Sequence, residues 1–126
     1  MNSHIVKFLR SAYKAYNARD IDSALSFMQH DVEWPNGIEG GYVHGHNAIR
    51  EYWTEQWKTI DPHIEPQQFQ LGEDGRVIVT VHQLVRDMQG NVLRDDKIEH
   101  VYTMHRGLVK SMTIRDHIDE SSNDAY

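Results

Sequence analysis

The sequence predicts an α+β domain in which three helices pack on one face of a curved, mainly antiparallel sheet. Apolar residues recur at helical spacing through most of the first half of the chain, whereas two-residue alternation dominates the second half. A stretch of helical signal followed by a stretch of strand signal is typical of α+β folds. The 126 residues suffice for one domain with a single core.

Three segments carry the helical pattern. Ser3 is the expected N-cap of the first, which runs along an apolar face to about residue 16. Asp20 is expected to cap a short second helix, because its carboxylate can accept a hydrogen bond from a backbone N–H of the first turn. The third helix is predicted for residues 46–60, and Asp61-Pro62 is expected to end it.

Five strands are predicted. The first is short, at residues 32–34, and stops at Pro35, which cannot continue a hydrogen-bonded ladder. Residues 36–45 hold four glycines and are predicted to form a loop. Gln89-Gly90 supplies one of the hairpin turns of the meander that follows. Its strands are predicted at residues 63–71, 76–87, 92–105 and 108–115.

The strand register predicts which side chains share a face. If Gln89-Gly90 forms a two-residue turn, His100 lies opposite Val79, and residues of like parity point to the same side. One mostly apolar face results, which we assign to the helices and to a pocket. Its members are Val77, Val79, Val81, Gln83, Val85, Ile98, His100, Tyr102 and Met104, continued on the last strand by Met112, Ile114 and Asp116. The opposite face carries His82 among half-apolar positions, and we expect a homodimer to form through it.

Composition excludes several classes of function. The chain has no cysteine, which excludes disulfides and thiolate chemistry. Its net charge is −6 and it has no basic cluster, so we expect no nucleic-acid partner. Without a bilayer-length apolar run or an apolar signal core, we expect no membrane partner and a cytoplasmic location. We also expect no cofactor, because phosphate-binding and dinucleotide-binding motifs are lacking.

A pair of histidines suggests a metal site. His44 and His46 alternate along the chain, so an extended segment could offer both side chains to one ion. A third ligand is needed, and Glu33 and Glu39 are the nearest candidates. Gly45 also stands where a helix is expected to begin, which accounts for this glycine without a metal. We therefore predict no metal site.

Three motifs, in this order, resemble the nuclear transport factor 2-like superfamily. They are YKAYNARDID at residues 13–22, DVEW at residues 31–34, and HGHNAI at residues 44–49 leading into Tyr52-Trp53. The resemblance covers nearly the whole chain and is closest to the branch of SnoaL-like polyketide cyclases and ketosteroid isomerases. It implies a cone-shaped domain that encloses a pocket, and we assign residues 1–118 to this domain. Residues 119–126 are polar and acidic, and we expect them to form a tail.

The resemblance also implies site residues, position by position. The isomerases keep a basic Asp at the end of the first strand, where this chain has Trp34, and this difference argues against steroid isomerase activity. Their second acid, on the penultimate strand, corresponds to His100. Their oxyanion-binding tyrosine of the first helix falls near Ala12, one residue before Tyr13. The pocket position of the last strand falls on Asp116.

His100 is the predicted centre of any chemistry. Burial among apolar neighbours would lower its pKa and keep the imidazole neutral near pH 7, able to accept a proton. The alternative is a core histidine that makes a single hydrogen bond. Asp116 could orient His100 or act on a substrate, or it could pair with Arg115 or Arg86 at the surface.

Large side chains of the predicted pocket face are expected to contact a ligand. They are Tyr16, Trp34, Trp53, Trp57, Gln83, Tyr102 and Met112. Such walls suit a small apolar or aromatic molecule, although large aromatics at helical spacing also fill ordinary cores.

These observations predict a small-molecule pocket protein. The first hypothesis is a cofactor-free isomerase, cyclase or dehydratase that uses acid–base chemistry on an apolar carbonyl compound. His100 would be its base or acid, Tyr13 or Tyr16 a hydrogen-bond donor, and Asp116 a supporting group. A non-catalytic ligand-binding homodimer is the alternative, and a protein–protein adaptor is a third hypothesis. An open pocket, with His100 in reach of a second inward polar group, would favour the enzyme.

Overall fold

The computed structural model describes residues 2–37 and 39–117 of the chain. The elements within these residues are α1 (Ser3–Asn17), α2 (Ile21–Ser26), β1 (Met28–Pro35), β2 (Tyr42–His44), α3 (Gly45–Thr59), β3 (Ile60–Leu71), β4 (Val77–Asp87), β5 (Val92–His105) and β6 (Leu108–Asp116). The predicted polar tail at residues 119–126 lies outside the described residues. None of the described helices has the length and apolar character needed to cross a membrane.

The strands form one six-stranded sheet in the order β2-β1-β6-β5-β4-β3. Every neighbouring pair is antiparallel except β1 and β6, which run parallel. The helices pack on one face of this open, curved sheet, so the predicted α+β architecture is confirmed.

The helix boundaries differ slightly from the prediction. Asn2, not Ser3, caps α1, because its side-chain oxygen accepts a hydrogen bond from the His4 backbone nitrogen at 2.8 Å. Asp20 caps α2 as predicted and accepts a hydrogen bond from the Ser23 nitrogen at 3.2 Å. The end of α3 was predicted at Asp61-Pro62, but the helix ends at Thr59. Pro62 instead lies within the edge strand β3, where a missing backbone N–H is tolerated.

One strand falls in a segment predicted to be a loop. Tyr42–His44 forms β2, which pairs antiparallel with the end of β1 through Trp34 and Val43. Three residues are too few to show an alternating pattern, and the glycines on either side hide the strand further. Strand β1, at Met28–Pro35, is longer than the predicted residues 32–34 because it also pairs with β6 from Met28 onward.

The predicted register between β4 and β5 is confirmed, although its turn differs. Val79 lies opposite His100, as predicted. The Asp87 nitrogen donates to the Asn91 carbonyl at 2.9 Å, so the turn holds three residues and not two. A β-bulge next to the turn shifts the register back, because Val85 pairs with Arg94 while Arg86 pairs with Val92. The additional turn residue shifts the register by one position and the bulge shifts it back, so the side chains of β4 and β5 point to the predicted faces.

The core lies between the helices and the inner face of the sheet. Buried side chains of the inner face include Val77, Val79, Val81, Ile98, His100, Tyr102 and Met112. They meet Leu9 of α1 and Ile49 of α3, both of which are wholly buried. Ile114, predicted for the same face, is 45% exposed because the sheet reaches solvent at this end of β6.

Candidate active site

The helices and the inner face of the sheet enclose a cavity of about 390 Å³. This volume lies in the range of small-molecule sites. Its wall combines side chains from α1 and α3 with the inner faces of β4, β5 and β6. Arg94 and Ile114 line it and are also exposed to solvent, so the cavity is open on that side.

A chain of hydrogen bonds joins three buried side chains on the cavity wall. The Tyr102 hydroxyl donates to the Tyr13 hydroxyl at 2.7 Å, and the Tyr13 hydroxyl lies 2.7 Å from His100 Nδ1. Since the Tyr13 oxygen accepts from Tyr102, its own proton is free to bond the imidazole. The rings also pack: Tyr13 stacks on His100 with centroids 5.8 Å apart, and Tyr102 meets Tyr13 edge-on at 6.3 Å.

Two elements place these groups. His100 and Tyr102 are two residues apart on β5, so strand alternation points both into the cavity. Tyr13 is a buried residue of α1, which crosses this part of the sheet. The helix therefore supplies the hydroxyl that links the two side chains of one strand.

Burial keeps the three groups neutral. It lowers the pKa of His100 from 6.5 to about 4, since the imidazolium would lose its hydration. Burial also raises the pKa of Tyr13 well above 10, helped by the nearby Tyr102, and raises the pKa of Tyr102. Among the described residues no carboxylate or cation is bonded to any of the three.

The second imidazole nitrogen faces the cavity. His100 Nε2 has no hydrogen-bond partner within residues 2–37 and 39–117. Among the same residues, Trp57 Nε1 is the one fully buried polar side-chain atom that lacks a hydrogen-bond partner. Because His100 Nε2 also lacks a partner, it is not fully buried, and the space it contacts is the cavity that His100 lines. When Nδ1 accepts from Tyr13, the neutral ring carries its proton on Nε2, and when Nδ1 donates to Tyr13, Nε2 presents a lone pair to the cavity.

A second polar strip crosses the helical side of the cavity. The Tyr16 hydroxyl donates to Gln56 Oε1 at 3.4 Å, Gln56 Nε2 donates to the Tyr52 hydroxyl at 3.3 Å, and the Gly37 nitrogen donates to that hydroxyl at 2.9 Å. Gln56 was missed in the sequence. Its position, one helical turn after Tyr52 and beside Trp53, is the signal that could have found it.

Nine of the ten predicted site residues line the cavity: Tyr13, Tyr16, Trp34, Trp53, Gln83, His100, Tyr102, Met112 and Asp116. Trp57 does not line the cavity. Its ring packs on Trp53 and Tyr16 at centroid distances of 5.8 and 5.3 Å, and the Arg19 guanidinium covers it at 4.9 Å.

Asp116 lies at the rim of the cavity and not beside His100. It pairs with Ile98 across the sheet and is exposed. No hydrogen bond joins it to His100 in the described part of the chain, so no observed contact supports the prediction that Asp116 orients His100. The predicted surface pairing with Arg115 is also not formed, because that guanidinium bonds Glu99 at 2.6 Å.

The two histidines considered as metal ligands have separate partners. His44 bonds the Glu33 carboxylate at 3.2 Å, and His46 Nε2 lies 3.1 Å from the Met28 carbonyl. The described residues contain no group of three or more His, Asp or Glu side chains arranged to hold a metal ion.

The sequence pattern of the SnoaL-like domain family matches residues 9–112. The protein therefore belongs to the SnoaL-like family, within the superfamily that its motifs resemble. No curated protein sequence matches the chain.

Solved structures agree with the fold. An NTF2-like protein of unknown function from Burkholderia pseudomallei is 22% identical, with a TM-score of 0.77 over 99% of this chain and 97% of that one. TerC, crystallised with polyporic acid, is 26% identical, with a TM-score of 0.76 over 95% of each chain. A Mycobacterium tuberculosis protein in complex with estradiol-17β-hemisuccinate is 14% identical, with a TM-score of 0.72 over 92% of this chain and 94% of that one.

Proposed function

We propose that the protein is a cofactor-free acid–base enzyme that isomerises, cyclises or dehydrates a small, apolar carbonyl compound. One observation carries the proposal. A buried neutral imidazole, His100, has one nitrogen bonded to Tyr13 and the other directed at an open cavity. A group that is uncharged at neutral pH and held at a fixed angle is suited to proton transfer.

The partner of His100 favours catalysis over passive binding. A histidine with only a packing role commonly donates its ring N–H to a nearby backbone carbonyl, and such a bond gives no indication of catalysis. Here the partner is a side-chain hydroxyl from a different element, itself bonded to Tyr102. Three polar groups buried together carry a cost of desolvation that an apolar core would avoid, and their shared position on the cavity wall supports a chemical role.

The cavity wall supports an apolar, flat substrate. Trp34, Trp53 and Tyr16 form a large part of it, and Trp34 and Trp53 meet edge-on at 5.9 Å. No ionised side chain is bonded to the buried His100 end of the cavity within the described residues, which suits a neutral carbonyl group. The TerC and Mycobacterium relatives, each recorded with a small organic ligand, support a small-molecule partner.

The residues of β1 that line the cavity, Met28, Trp34 and Pro35, have no basic side chain, which supports His100 as the group that transfers the proton. Trp34 ends the inward part of this strand, and an indole has no basic nitrogen. Asp116 is at the rim and is given no part in the step.

The first test uses β-tetralone, an enolisable bicyclic ketone small enough for the cavity. In D₂O the protein should catalyse exchange of its α-protons, followed by proton NMR. His100→Ala should lower the exchange rate about 100-fold, the loss expected when an acid–base group is removed. His105→Ala, at an exposed histidine of the same strand, should leave the rate unchanged. Equal rates for the native protein and His100→Ala would contradict the proposed function.

A further inference from the structure

We propose that Tyr102, Tyr13 and His100 form a proton relay with two ends in the cavity, which moves a proton between two positions of one bound substrate without creating a buried charge. The inference rests on the proposed function, because it specifies how the same site transfers a proton. It assigns Tyr102, expected from the sequence only to contact ligand, to the chemical step.

Continuity of the chain is the first requirement of a relay. Both links are 2.7 Å long, which is an ordinary distance for hydrogen bonds made by hydroxyl groups. A tyrosine hydroxyl donates one hydrogen bond while accepting another, and a neutral imidazole has one donor and one acceptor nitrogen. The same heavy-atom positions therefore suit two proton arrangements, which run along the chain in opposite directions.

The two arrangements differ at the cavity ends. When Tyr102 donates to Tyr13 and Tyr13 to Nδ1, the Nε2 of His100 carries a proton and the Tyr102 oxygen has a free lone pair. When Nδ1 donates to Tyr13 and Tyr13 to Tyr102, Nε2 has the lone pair and Tyr102 has a proton to donate. Each arrangement thus offers the cavity one acid and one base.

Both ends can reach one ligand. His100 and Tyr102 line the same cavity from alternate positions of β5, and their ring centroids are 6.2 Å apart. This separation is comparable to the size of a fused ring pair. A ketone with its oxygen toward Tyr102 can therefore place an acidic C–H toward Nε2 of His100.

The surroundings penalise any step that leaves an ion behind. Burial lowers the pKa of His100 to about 4 and raises the pKa values of both tyrosines, so imidazolium and tyrosinate are both disfavoured. No carboxylate or cation among the described residues is bonded to the three groups to offset such a charge. Concerted transfer along the chain avoids the cost, because each group gains one proton as it loses another.

The step balances without a further reactant. The substrate C–H bond breaks as an N–H bond forms at Nε2, and the Nδ1 proton passes to Tyr13. The Tyr13 proton passes to Tyr102, and the Tyr102 proton forms the O–H bond of the substrate enol. The reverse sequence delivers the Nε2 proton to a different carbon, returns the enol proton to Tyr102, and restores the enzyme. The substrate class is an enolisable ketone whose oxygen and reacting carbons lie along one edge.

The relay is tested by Tyr13→Phe, Tyr102→Phe and the double variant, in the β-tetralone exchange reaction. Phenylalanine keeps the rings and removes the hydroxyls. Each single variant should lose about 100-fold in rate, and the double variant should lose no more than either, because a broken chain cannot be broken twice. Tyr42→Phe, at an exposed tyrosine outside the cavity wall, is the matched control and should leave the rate unchanged.

The outcomes separate the relay from the proposed function. A rate that depends on His100 but stays within about threefold of native in Tyr102→Phe overturns the relay and leaves the acid–base function intact. Multiplied losses in the double variant also overturn the relay, because they mean that Tyr13 only orients His100 while Tyr102 acts separately. A native rate no higher than that of His100→Ala overturns both.

Nitrogen-15 NMR of His100 gives a readout that a purely structural role would not change. In the free protein at pH 7 the ring should be neutral, with Nε2 protonated. A ketone that takes the Tyr102 proton should shift the ring toward the Nδ1-protonated form, so added β-tetralone should raise that population in the native protein and not in Tyr102→Phe. A population that does not change in the native protein overturns the relay.

Discussion

At the scale of single residues, the hydroxyl of Tyr13 decides the state of His100. Nδ1 lies 2.7 Å from this hydroxyl, so the imidazole accepts at that nitrogen while the Tyr13 oxygen accepts a hydrogen bond from Tyr102. The sequence predicted a neutral imidazole able to act as a base. The structure adds that Nδ1 is bonded to Tyr13, which leaves Nε2 as the nitrogen that would react in the proposed function. Nε2 carries the proton while Tyr102 donates to Tyr13.

Burial of His100 makes stability depend on pH. The unfolded chain binds this proton below about pH 6.5, whereas the folded chain binds it only below about pH 4. Stability is therefore fully present above pH 6.5 and falls as the pH is lowered through this window, by up to about 1.4 kcal/mol per pH unit. Urea unfolding at several pH values should show this slope in the native protein and a smaller one in His100→Gln.

The contributions of other groups that titrate in this window cancel when the pH slope of stability in the native protein is compared with that in the variant. His105→Gln serves as the matched control, because it removes an exposed histidine of the same strand. The native slope retained in His100→Gln would show that His100 is not held neutral by burial.

The side chains on the cavity wall could be largely predicted from strand parity. His100 and Tyr102 share a face because they are two residues apart on one strand, and this requires no knowledge of the helices. The hydrogen bond to Tyr13 could not be predicted in the same way, because it depends on how far α1 is rotated and shifted over the sheet. The position of Asp116 at the rim could not be predicted, because parity gives the face of a residue but not its distance from the centre of the cavity.

At the scale of elements, the β4–β5 hairpin sets the position of His100. Its three-residue turn is stabilised by Asp87, whose carboxylate accepts hydrogen bonds from the Gln89 and Asn91 nitrogens at 2.9 Å each. Gly90 ends the turn with a φ of 90°, a conformation that disfavours every residue with a side chain. The bulge that restores the register follows directly, so the turn geometry controls which residues of β5 face the cavity.

Gly90→Ala should therefore lower the free energy of unfolding by about 1 kcal/mol. The cost arises from the backbone, since no other atom lies within 4 Å of the added methyl group. Chemical denaturation measures the change. Gln89→Ala, in the same turn but without a positive φ, should stay within about 0.5 kcal/mol of native. A loss in Gly90→Ala no larger than in Gln89→Ala would show that this turn does not require the positive φ.

Helix and strand boundaries were predicted where a local signal sets them. Asp20 is a strong cap, and its helix begins as predicted. The boundary between α3 and β3 was misplaced because Pro62 is tolerated in an edge strand, and whether a strand lies at an edge is a property of the sheet. Strand β2 has too few residues to carry a signal of its own and exists through its pairing with β1.

At the scale of the whole molecule, the outer face of the sheet remains without a described partner layer. It combines apolar residues, such as the partly exposed Ile78 and the buried Val101, with polar contacts such as the 2.6 Å hydrogen bond between His82 and Asp95. The described helices lie on the other side. A mixed face of this kind resembles interfaces between copies more than a fully solvated surface, and the homodimer predicted from the sequence stays a prediction.

Sedimentation measures the predicted homodimer. The native protein should sediment as a dimer, and Ile78→Asp should weaken association at least about tenfold, because a carboxylate would be buried at the interface without a partner. Glu51→Lys, on the exposed side of α3, changes charge away from this face and should leave association unchanged. A monomeric native protein would refute the prediction, as would a dimer insensitive to Ile78→Asp.

The parallel pairing of β1 with β6 has a consequence for synthesis of the chain. The Val109 nitrogen donates to the Phe27 carbonyl at 3.0 Å, and the strands that begin next to this bond are separated in sequence by all of α3 and the rest of the sheet. Contacts of such long sequence separation form late and slow the folding of a domain. A growing chain on the ribosome can pair β1 with β2 but cannot complete the pairing of β1 until β6 has emerged. Until then the cavity wall lacks β6, and the apolar side chains of Trp34 and Trp53 are incompletely packed. Exposed apolar surface of this kind makes the partly synthesised chain prone to aggregation.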